Sequence, residues 1–150
     1  ADAIVYMDID LSTDLNHIED LISGLEDGYD IVVGSRLLPT SRTTRSVKRE
    51  FISRIYNILV RVMFGYNSCS DFQCGFKAFR CNVVHNLLPK VKNNRFFFDT
   101  EILLLAGQLG YRILDVPVNW VEDPDSRVEL IPTILEDLAG LARVRLTIKR

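Results

Sequence analysis

The sequence predicts an α/β protein with a mostly parallel sheet flanked by helices. Two continuous apolar runs, Ala3–Met7 and residues 30–34, have the composition of strands buried in a parallel sheet. The apolar residues between them recur at helical spacing, so the first 35 residues are predicted to form a strand–helix–strand unit. The chain has 150 residues, 47 % of them hydrophobic, which suits one domain with a sizeable core.

The first predicted helix follows a group of capping residues. Ser12, Thr13 or Asp14 can cap it, and Gly24 and Gly28 are expected to end it. Its apolar positions are Leu15, Ile18, Leu21, Ile22 and Leu25. Residues 35–46 are polar and are predicted to form a long loop.

The rest of the sequence also alternates between predicted helices and strands. A helix is predicted from Ser46 to about Phe64, with Gly65 ending it and with Phe51, Ile55, Ile58, Leu59 and Val62 on one face. Residues 71–80 predict a strand or a turn and strand, residues 82–88 a short helix, 96–110 a helix, and 111–120 a strand. A loop over 121–128 then leads to an amphipathic helix over 130–141 and a basic tail.

The sequence shows no internal repeat and no flexible linker. We therefore predict one domain over 1–150, with a strand–helix–strand unit at 1–35, a central region at 36–128, and a C-terminal helix and tail at 129–150. The chain has three cysteines without metal-binding spacing, which argues against a zinc site and favours a reducing compartment. No apolar run approaches the roughly 18 residues that a membrane-spanning helix needs.

Charge is distributed unevenly along the chain. The net charge is only −2, yet residues 1–30 carry nine acidic side chains and no Lys or Arg, whereas residues 36–61 carry seven basic side chains and one Glu. An acidic site facing a basic segment suits a metal ion and a phosphorylated ligand. The alternative is two solvated helix faces.

Asp8 and Asp10 directly follow the first predicted strand. Residues two apart on a strand point the same way, so both carboxylates are expected to face the crevice at the carboxyl end of the sheet. Oxygen ligands there suit Mg²⁺ or Mn²⁺. Two alternatives remain open: a pair of solvated loop aspartates, or a haloacid-dehalogenase-like phosphatase in which Asp8 attacks phosphorus and Asp10 is the acid/base. The phosphatase also needs a downstream Gly-Asp strand end, and the chain has no Gly-Asp dipeptide.

Three basic or polar residues are candidates for phosphate binding. The second strand ends in Gly-Ser-Arg, which places Arg36 at the same sheet edge, and a guanidinium suits bidentate contact with phosphate. Arg49 and Ser53 lie four residues apart on the predicted helix and share a face. Each could instead lie on a solvated helix face.

Together, the ordered segments MDIDLST, DIVVGSR, RxxxS, DFQCGFKAFR, FFFDTEILLLAGQLGYRILDVPVNW and DSRV resemble a family-two glycosyltransferase of the GT-A fold. The resemblance is strongest to the dolichyl- or polyprenyl-phosphate hexosyltransferases, such as the glucosyl- and mannosyl-phosphoryl-dolichol synthases. It implies the C-terminal portion of a GT-A (Rossmann-like) fold, with transfer of a hexose from UDP-glucose or GDP-mannose to a lipid phosphate and inversion of the anomeric centre.

The resemblance also implies roles for individual residues. Asp8 and Asp10 match the metal-binding pair on the nucleotide sugar. Arg36, Arg49 and Ser53 match residues that meet the phosphate of the lipid acceptor. By the same resemblance, Asp71 matches an aspartate near the transferred sugar, and Glu101 matches the glutamate of the Phe-Asp-Thr-Glu element. Arg127 matches a basic residue of a loop over the diphosphate. Asp71 could also be a turn residue, and Glu101 a charge in the first turn of a helix.

The resemblance begins only at the metal-binding strand. The nucleotide-binding half of such enzymes has no counterpart in these 150 residues, so we expect the chain alone to be inactive and the complete enzyme to act at the cytoplasmic face of a membrane. A non-catalytic module that binds a ligand, or that pairs its open sheet edge with another copy, is the alternative.

Overall fold

The computed structural model of the protein describes residues 2–125 and 128–147. Its strands are β1 (Ala3–Met7), β2 (Ile31–Ser35), β3 (Arg42–Thr44), β4 (Phe76–Arg80), β5 (Ile113–Pro117) and β6 (Asn119–Val121). Its helices are α1 (Ile18–Glu26), α2 (Val47–Phe64), α3 (Cys81–Leu87), α4 (Phe98–Gln108) and α5 (Leu130–Thr147). The predicted α/β class is confirmed, while the predicted division into segments at residues 35 and 128 stays a prediction.

The central sheet has four strands in the order β1-β4-β2-β5. β2 pairs in parallel with β5, whereas β4 lies between β1 and β2 and is antiparallel to both. β1, β2 and β5 therefore run in one direction, as predicted, but β1 and β2 are not neighbours. The residues of β4 do not indicate this insertion, because a short, buried, mainly apolar strand has the same composition in either direction.

A second, two-stranded sheet pairs β3 with β6 in parallel. The prediction of an unbroken loop over 35–46 was wrong at β3, because this strand has only three residues and these are polar. The predicted strand over 111–120 is divided at Val118 into β5 and β6, which belong to different sheets.

The ends of α2 lie where local rules predict them, whereas α1 continues past one of its predicted ends. Ser46 caps α2 by accepting a hydrogen bond from the Arg49 amide, and Gly65 ends the helix with a φ of 71°. The prediction that Gly24 ends α1 was wrong. Gly24 lies inside that helix against β2, where a Cβ atom would come within 2.7 Å of Val32, and the chain turns instead at Gly28, with a φ of 92°.

Side chains of β2 alternate between two cores on opposite faces of the sheet. Ile31 and Val33 pack with residues of α2, α3 and α4, while Val32 packs with Leu21 and Leu25 of α1. Of the predicted apolar face of α2, only Leu59 packs against a core, whereas Phe51, Ile55, Ile58 and Val62 are exposed. The buried face of α2 consists of Ser53, Tyr56, Asn57 and Val60.

Candidate active site

A cavity of about 600 Å³ lies between α2 and α5, beside the residues that follow β1 and β2. Its charged and polar lining includes Asp8, Asp10, Arg36, Arg45, Arg49, Ser53, Gln73, Asp99, Glu122, Asp123 and Asp137. Its apolar lining includes Phe51, Ile52, Ile55, Leu59, Phe96, Val128, Leu130, Ile134 and Leu138. The cavity thus combines a polar end, rich in both signs of charge, with a long apolar wall.

Asp8 lies at the acidic side of this polar end. Burial, reinforced by the negative charges of Asp99 and Asp10, raises the pKa of Asp8 to about 6. The Asp8 amide donates to the Gly75 carbonyl at 2.8 Å. A Cβ atom at position 75 would come within 2.2 Å of an Asp8 carboxylate oxygen, so only glycine leaves this carboxylate in place.

The acidic side suits a cation held jointly with a ligand. Asp8 and Asp10 both line the cavity, as predicted, and the unfavourable crowding of carboxylates around Asp8 is the kind that a divalent cation relieves. Across residues 2–125 and 128–147, no three His, Cys, Asp or Glu side chains form a ready-made metal cage. Mg²⁺ characteristically needs only one or two protein carboxylates when substrate phosphates complete its coordination, so the residues fit this mode of binding.

Lys77 supports the acidic side from below. This fully buried residue of β4 donates to the Asp99 carboxylate at 2.5 Å and to the Cys74 carbonyl, and the Tyr6 hydroxyl also donates to Asp99. Burial opposes the charge on Lys77, but attraction to Asp99 outweighs it, so the pKa of Lys77 is raised and the side chain stays charged. Sequence reasoning assigned no role to Lys77 or Asp99, although a lysine within the apolar segment FKAF was a signal.

Arg36 and Asp71 form a buried ion pair beneath the cavity. The Arg36 Nε donates to one Asp71 oxygen at 2.7 Å, its Nη2 to the other at 2.9 Å, and its backbone amide to the first at 3.1 Å. Burial opposes ionisation of Asp71, but the Arg36 guanidinium outweighs it and holds the pKa of Asp71 below its usual value. Asp71 does not line the cavity, whereas Arg36 does. The geometry makes Asp71 the group that fixes Arg36, and its predicted role near the sugar stays a prediction.

The basic side of the cavity is completed by Arg49 of α2 and by Arg45, which precedes that helix. Arg49 pairs with Glu122 at 2.9 Å and remains partly exposed. Arg45, which sequence reasoning did not select, donates to Glu50 at 2.6 Å. Arg36 and Arg45 also lie over the Trp120 ring, 5.4 and 5.8 Å from its centroid. Three guanidinium groups thus converge on this side, an arrangement suited to an anionic ligand.

Glu101, another predicted site residue, does not line the cavity. Glu101 is buried, accepts from Arg143 of α5 at 2.9 and 3.0 Å, and accepts from the Asn93 amide at 2.8 Å. These contacts tie α4 to α5, so the catalytic role predicted for Glu101 stays a prediction without support from its placement. Arg127 lies outside the described residues.

Asp137 is a site residue that the sequence did not reveal. It lies on α5 with 2 % of its surface exposed, and its Oδ2 accepts from the Gln73 side-chain amide at 2.8 Å. Its Oδ1 and the Ser53 Oγ have no hydrogen-bond partner among the described residues. Burial, with the nearby charge of Glu136, raises the pKa of Asp137 to about 7.

The chain is similar in sequence to several known glycosyltransferases. No protein-family model matches the chain. It is 42 % identical over 135 residues to glycosyltransferase AglD of Haloferax volcanii, which covers 89 % of this chain and 22 % of that protein. It is 31 % identical over 136 residues to a dolichyl-phosphate beta-glucosyltransferase of Dictyostelium discoideum (88 % and 41 %) and 28 % identical over 123 residues to an undecaprenyl-phosphate mannosyltransferase of Micrococcus luteus (81 % and 50 %). The chain therefore spans about a fifth to a half of these relatives.

A solved structure confirms the fold. Glucosyl-3-phosphoglycerate synthase of Mycobacterium tuberculosis, solved with UDP, superposes on the whole chain with a TM-score of 0.67 at 18 % identity, and the match covers 51 % of that structure. The predicted GT-A fold is thus confirmed, and the resemblance to glycosyltransferases holds over most of the chain.

Proposed function

We propose, from the homology of this chain to glycosyltransferases that act on lipid phosphates, that it forms the acceptor side of an enzyme that transfers a hexose from a nucleotide sugar to a polyprenyl or dolichyl phosphate. One observation carries the proposal: the arginine side of the cavity is continuous with an apolar wall between α2 and α5. A phosphate with a long hydrocarbon chain needs both surfaces in one cavity. The similarity to the relatives named above supports the proposal. The hexosyltransferase activity of the whole protein is itself part of what we propose.

In this proposal the acceptor phosphate lies against Arg36, Arg49 and Ser53. Arg36 is held in place by Asp71, so it is preorganised to meet an anion. Arg49 can exchange its contact with Glu122 for a phosphate oxygen. The first prenyl units then lie along Ile52, Ile55 and Ile134 of the apolar wall.

The donor lies at the acidic side, where Asp8 and Asp10 would hold Mg²⁺ or Mn²⁺. The cation supplies charge neutralisation for the diphosphate of a nucleotide sugar such as UDP-glucose or GDP-mannose. The acceptor phosphate is already anionic at neutral pH, so it needs no general base. Its oxygen forms the bond to the anomeric carbon while the bond from that carbon to the diphosphate breaks, and the nucleoside diphosphate leaves with the electron pair. A single displacement of this kind inverts the anomeric centre.

The cation proposal makes a testable prediction. Asp8→Asn is expected to weaken Mn²⁺ binding at least tenfold, because it removes a charged oxygen ligand at the crowded carboxylates. Electron paramagnetic resonance of free Mn²⁺ measures the binding, with Asp2→Asn, an exposed aspartate at the other end of β1, as the matched control. Equal affinities of the Asp8 and Asp2 variants for Mn²⁺ would contradict the proposal.

The exposed apolar residues of α2 and α5 fit a peripheral position at the cytoplasmic face of a membrane. These residues are Val47, Phe51, Ile55, Ile58 and Val62 of α2 and Ile131, Leu135, Leu138 and Leu146 of α5. Within the described part of the chain, no helix is long and apolar enough to cross a bilayer. A lipid acceptor would reach the cavity directly from a surface on which these two helices rest.

The membrane proposal predicts that the protein co-sediments with phosphatidylcholine–phosphatidylserine vesicles. Val62→Glu combined with Leu135→Glu should abolish co-sedimentation, because both side chains are largely exposed and neither lines the cavity. Lys48→Glu, another exposed position of α2, should retain most of it. Unchanged co-sedimentation of the double variant would count against this orientation.

Acceptor binding is the experiment that tests the proposed function. Farnesyl phosphate, a short soluble analogue of a polyprenyl phosphate, should bind the chain in isothermal titration calorimetry, whereas farnesol and inorganic phosphate should bind at least tenfold more weakly. Each of these probes satisfies only one of the two surfaces of the cavity. Absence of farnesyl phosphate binding would overturn the proposal, as would equal binding of farnesol.

The alternatives weighed from the sequence differ in their support. The homology to glycosyltransferases speaks against the phosphatase with Asp8 as nucleophile. We propose that the chain alone lacks hexosyltransferase activity, and turnover of radiolabelled UDP-glucose or GDP-mannose onto a polyprenyl phosphate by these 150 residues would refute this. A non-catalytic binding or oligomerising module remains the second candidate, favoured by the position of β1 at the edge of the central sheet.

A further inference from the structure

Two buried polar atoms on the helices that border the cavity have no hydrogen-bond partner among the described residues: the Oγ of Ser53 on α2 and the Oδ1 of Asp137 on α5. Both side chains line the cavity, and their residues are only 6 % and 2 % exposed. Buried polar atoms in native proteins are nearly always hydrogen-bonded, since leaving one unsatisfied costs about 1–3 kcal/mol. A bound group that supplies hydrogen bonds is therefore expected at this place.

The surroundings of Asp137 indicate what kind of group this is. No ion pair joins Asp137 to any cation in the part of the chain that the structure describes, whereas Arg36, Arg45 and Arg49 lie on the basic side of the same cavity. An anion would therefore be attracted to the basic side and repelled by the carboxylate. An unpaired carboxylate oxygen instead accepts hydrogen bonds from neutral donors, of which hydroxyl groups are the strongest.

Gln73 fixes the orientation of this carboxylate. Its side-chain amide donates to the Asp137 Oδ2 at 2.8 Å, which leaves Oδ1 as the free acceptor. Burial raises the pKa of Asp137 to about 7, and hydrogen bonds from ligand hydroxyls would favour the charged form and lower it again. A polyhydroxyl ligand would thus supply the hydrogen bonds to the Asp137 Oδ1 that the described protein groups do not.

We propose that Ser53, Gln73 and Asp137 form a hydrogen-bonding subsite for the hydroxyl groups of a sugar, and that α5 thereby takes part in recognising the transferred hexose. The inference rests on the proposed function, which supplies a hexose to this cavity. Neighbouring sugar hydroxyls are both donors and acceptors, so they match a carboxylate oxygen and a serine hydroxyl that each lack a partner. The phosphate and the hexose of the glycosylated lipid would then occupy adjacent parts of one cavity, with Ser53 at their boundary, where its hydroxyl can reach either group.

The test compares two ligands that differ only in the sugar: farnesyl phosphate and its hexosyl ester, made with glucose and with mannose. We expect the wild-type chain to bind at least one hexosyl ester about tenfold more tightly than farnesyl phosphate. Asp137→Ala should reduce affinity for that ester about tenfold, since hydrogen bonds to a charged group contribute about 1.5–3 kcal/mol. It should change affinity for farnesyl phosphate less than twofold.

Two further variants make the result interpretable. Glu136→Gln, the neighbouring carboxylate on α5, which contacts Asn93 instead, should leave both affinities within twofold of the wild type. Asp137→Asn keeps the size of the side chain and should fold even if Asp137→Ala does not, and it should reduce the preference for the hexosyl ester. Circular dichroism confirms that each variant is folded.

Two outcomes would overturn the inference while leaving the proposed function intact. In one, the Asp137 variants weaken both ligands equally, which marks a structural role. In the other, the variants weaken the binding of neither ligand, which indicates that water, and not a sugar, makes the hydrogen bonds to Ser53 and Asp137. Failure of the wild-type chain to bind farnesyl phosphate would overturn the proposed function itself, and this subsite with it.

Discussion

Arg36→Ala is expected to lower the free energy of unfolding by about 3–5 kcal/mol, the usual cost of leaving a buried charge without its partner. Asp71 has no exposed surface and accepts three hydrogen bonds from Arg36, two from its side chain and one from its backbone. The substitution removes the two side-chain bonds and leaves the Asp71 carboxylate without its countercharge. Urea denaturation followed by circular dichroism measures the loss.

Two comparisons separate the loss of this buried ion pair from the effect that any substitution in the cavity has on stability. Arg49→Ala removes a partly exposed ion pair with Glu122 and should cost no more than about 1 kcal/mol. Replacing both members of the buried pair, Arg36→Met with Asp71→Leu, should recover much of the stability lost in Arg36→Ala, because no charge is then left buried. A cost for Arg36→Ala that is no larger than that for Arg49→Ala would contradict the assignment of Asp71 as the anchor of Arg36.

Arg49→Ala combined with Ser53→Ala should weaken binding of farnesyl phosphate by about thirtyfold or more while leaving the protein folded. A hydrogen bond to a charged group contributes about 1.5–3 kcal/mol, and each 1.4 kcal/mol is a factor of ten in affinity. Ser53 Oγ has no hydrogen-bond partner among the described residues, so its removal costs the fold little. Titration calorimetry against farnesyl phosphate measures the change.

Lys48→Ala is the matched control for this variant. Lys48 is an exposed cation on the first turn of α2, next to Arg49, and it does not line the cavity. Its removal should change the affinity less than twofold. If Lys48→Ala and the double variant weaken binding to the same extent, the phosphate is attracted by the general charge of α2 and not held at Arg49 and Ser53.

The fold could be predicted as far as local patterns determine it. The apolar runs of β1 and β2, the Ser46 cap and the Gly65 turn were all visible in the sequence, and each corresponds to an observed element. The insertion of β4 between β1 and β2 was not visible, because strand direction depends on long-range pairing and leaves no period in the residues. β3 was missed because three polar residues give no apolar signal.

The apolar stripe of α2 shows a different limit. Spacing identifies an apolar face but does not say what covers it. In this chain most of that face is exposed and only Leu59 meets the core, while the buried face carries the hydroxyl and amide groups of Ser53, Tyr56 and Asn57. The same apolar pattern would have been expected of a helix packed on a core.

For the site, five residues selected from the motifs, Asp8, Asp10, Arg36, Arg49 and Ser53, line one cavity, while their roles stay predictions. Lys77 and Asp137 were missed because neither the apolar segment around Lys77 nor the Glu136–Asp137 pair on an amphipathic helix indicates a site by itself. Their significance comes from partners distant in sequence: Lys77 meets Asp99, 22 positions away, and Asp137 meets Gln73, 64 positions away. The motifs also could not show that the Asp71 carboxylate pairs with Arg36 and the Glu101 carboxylate with Arg143.

The central claim is that a lipid phosphate occupies the cavity between α2 and α5, and methyl NMR of the isoleucine side chains tests it most directly. In a titration with farnesyl phosphate, we predict that the δ1-methyl signals of Ile52, Ile55 and Ile134, which line the apolar wall, shift in a saturable manner. The signals of Ile31 and Ile113, which belong to the core of the sheet, should stay in place. Shifts confined to the core residues, or no shift of the three cavity residues at saturating ligand, would contradict the claim.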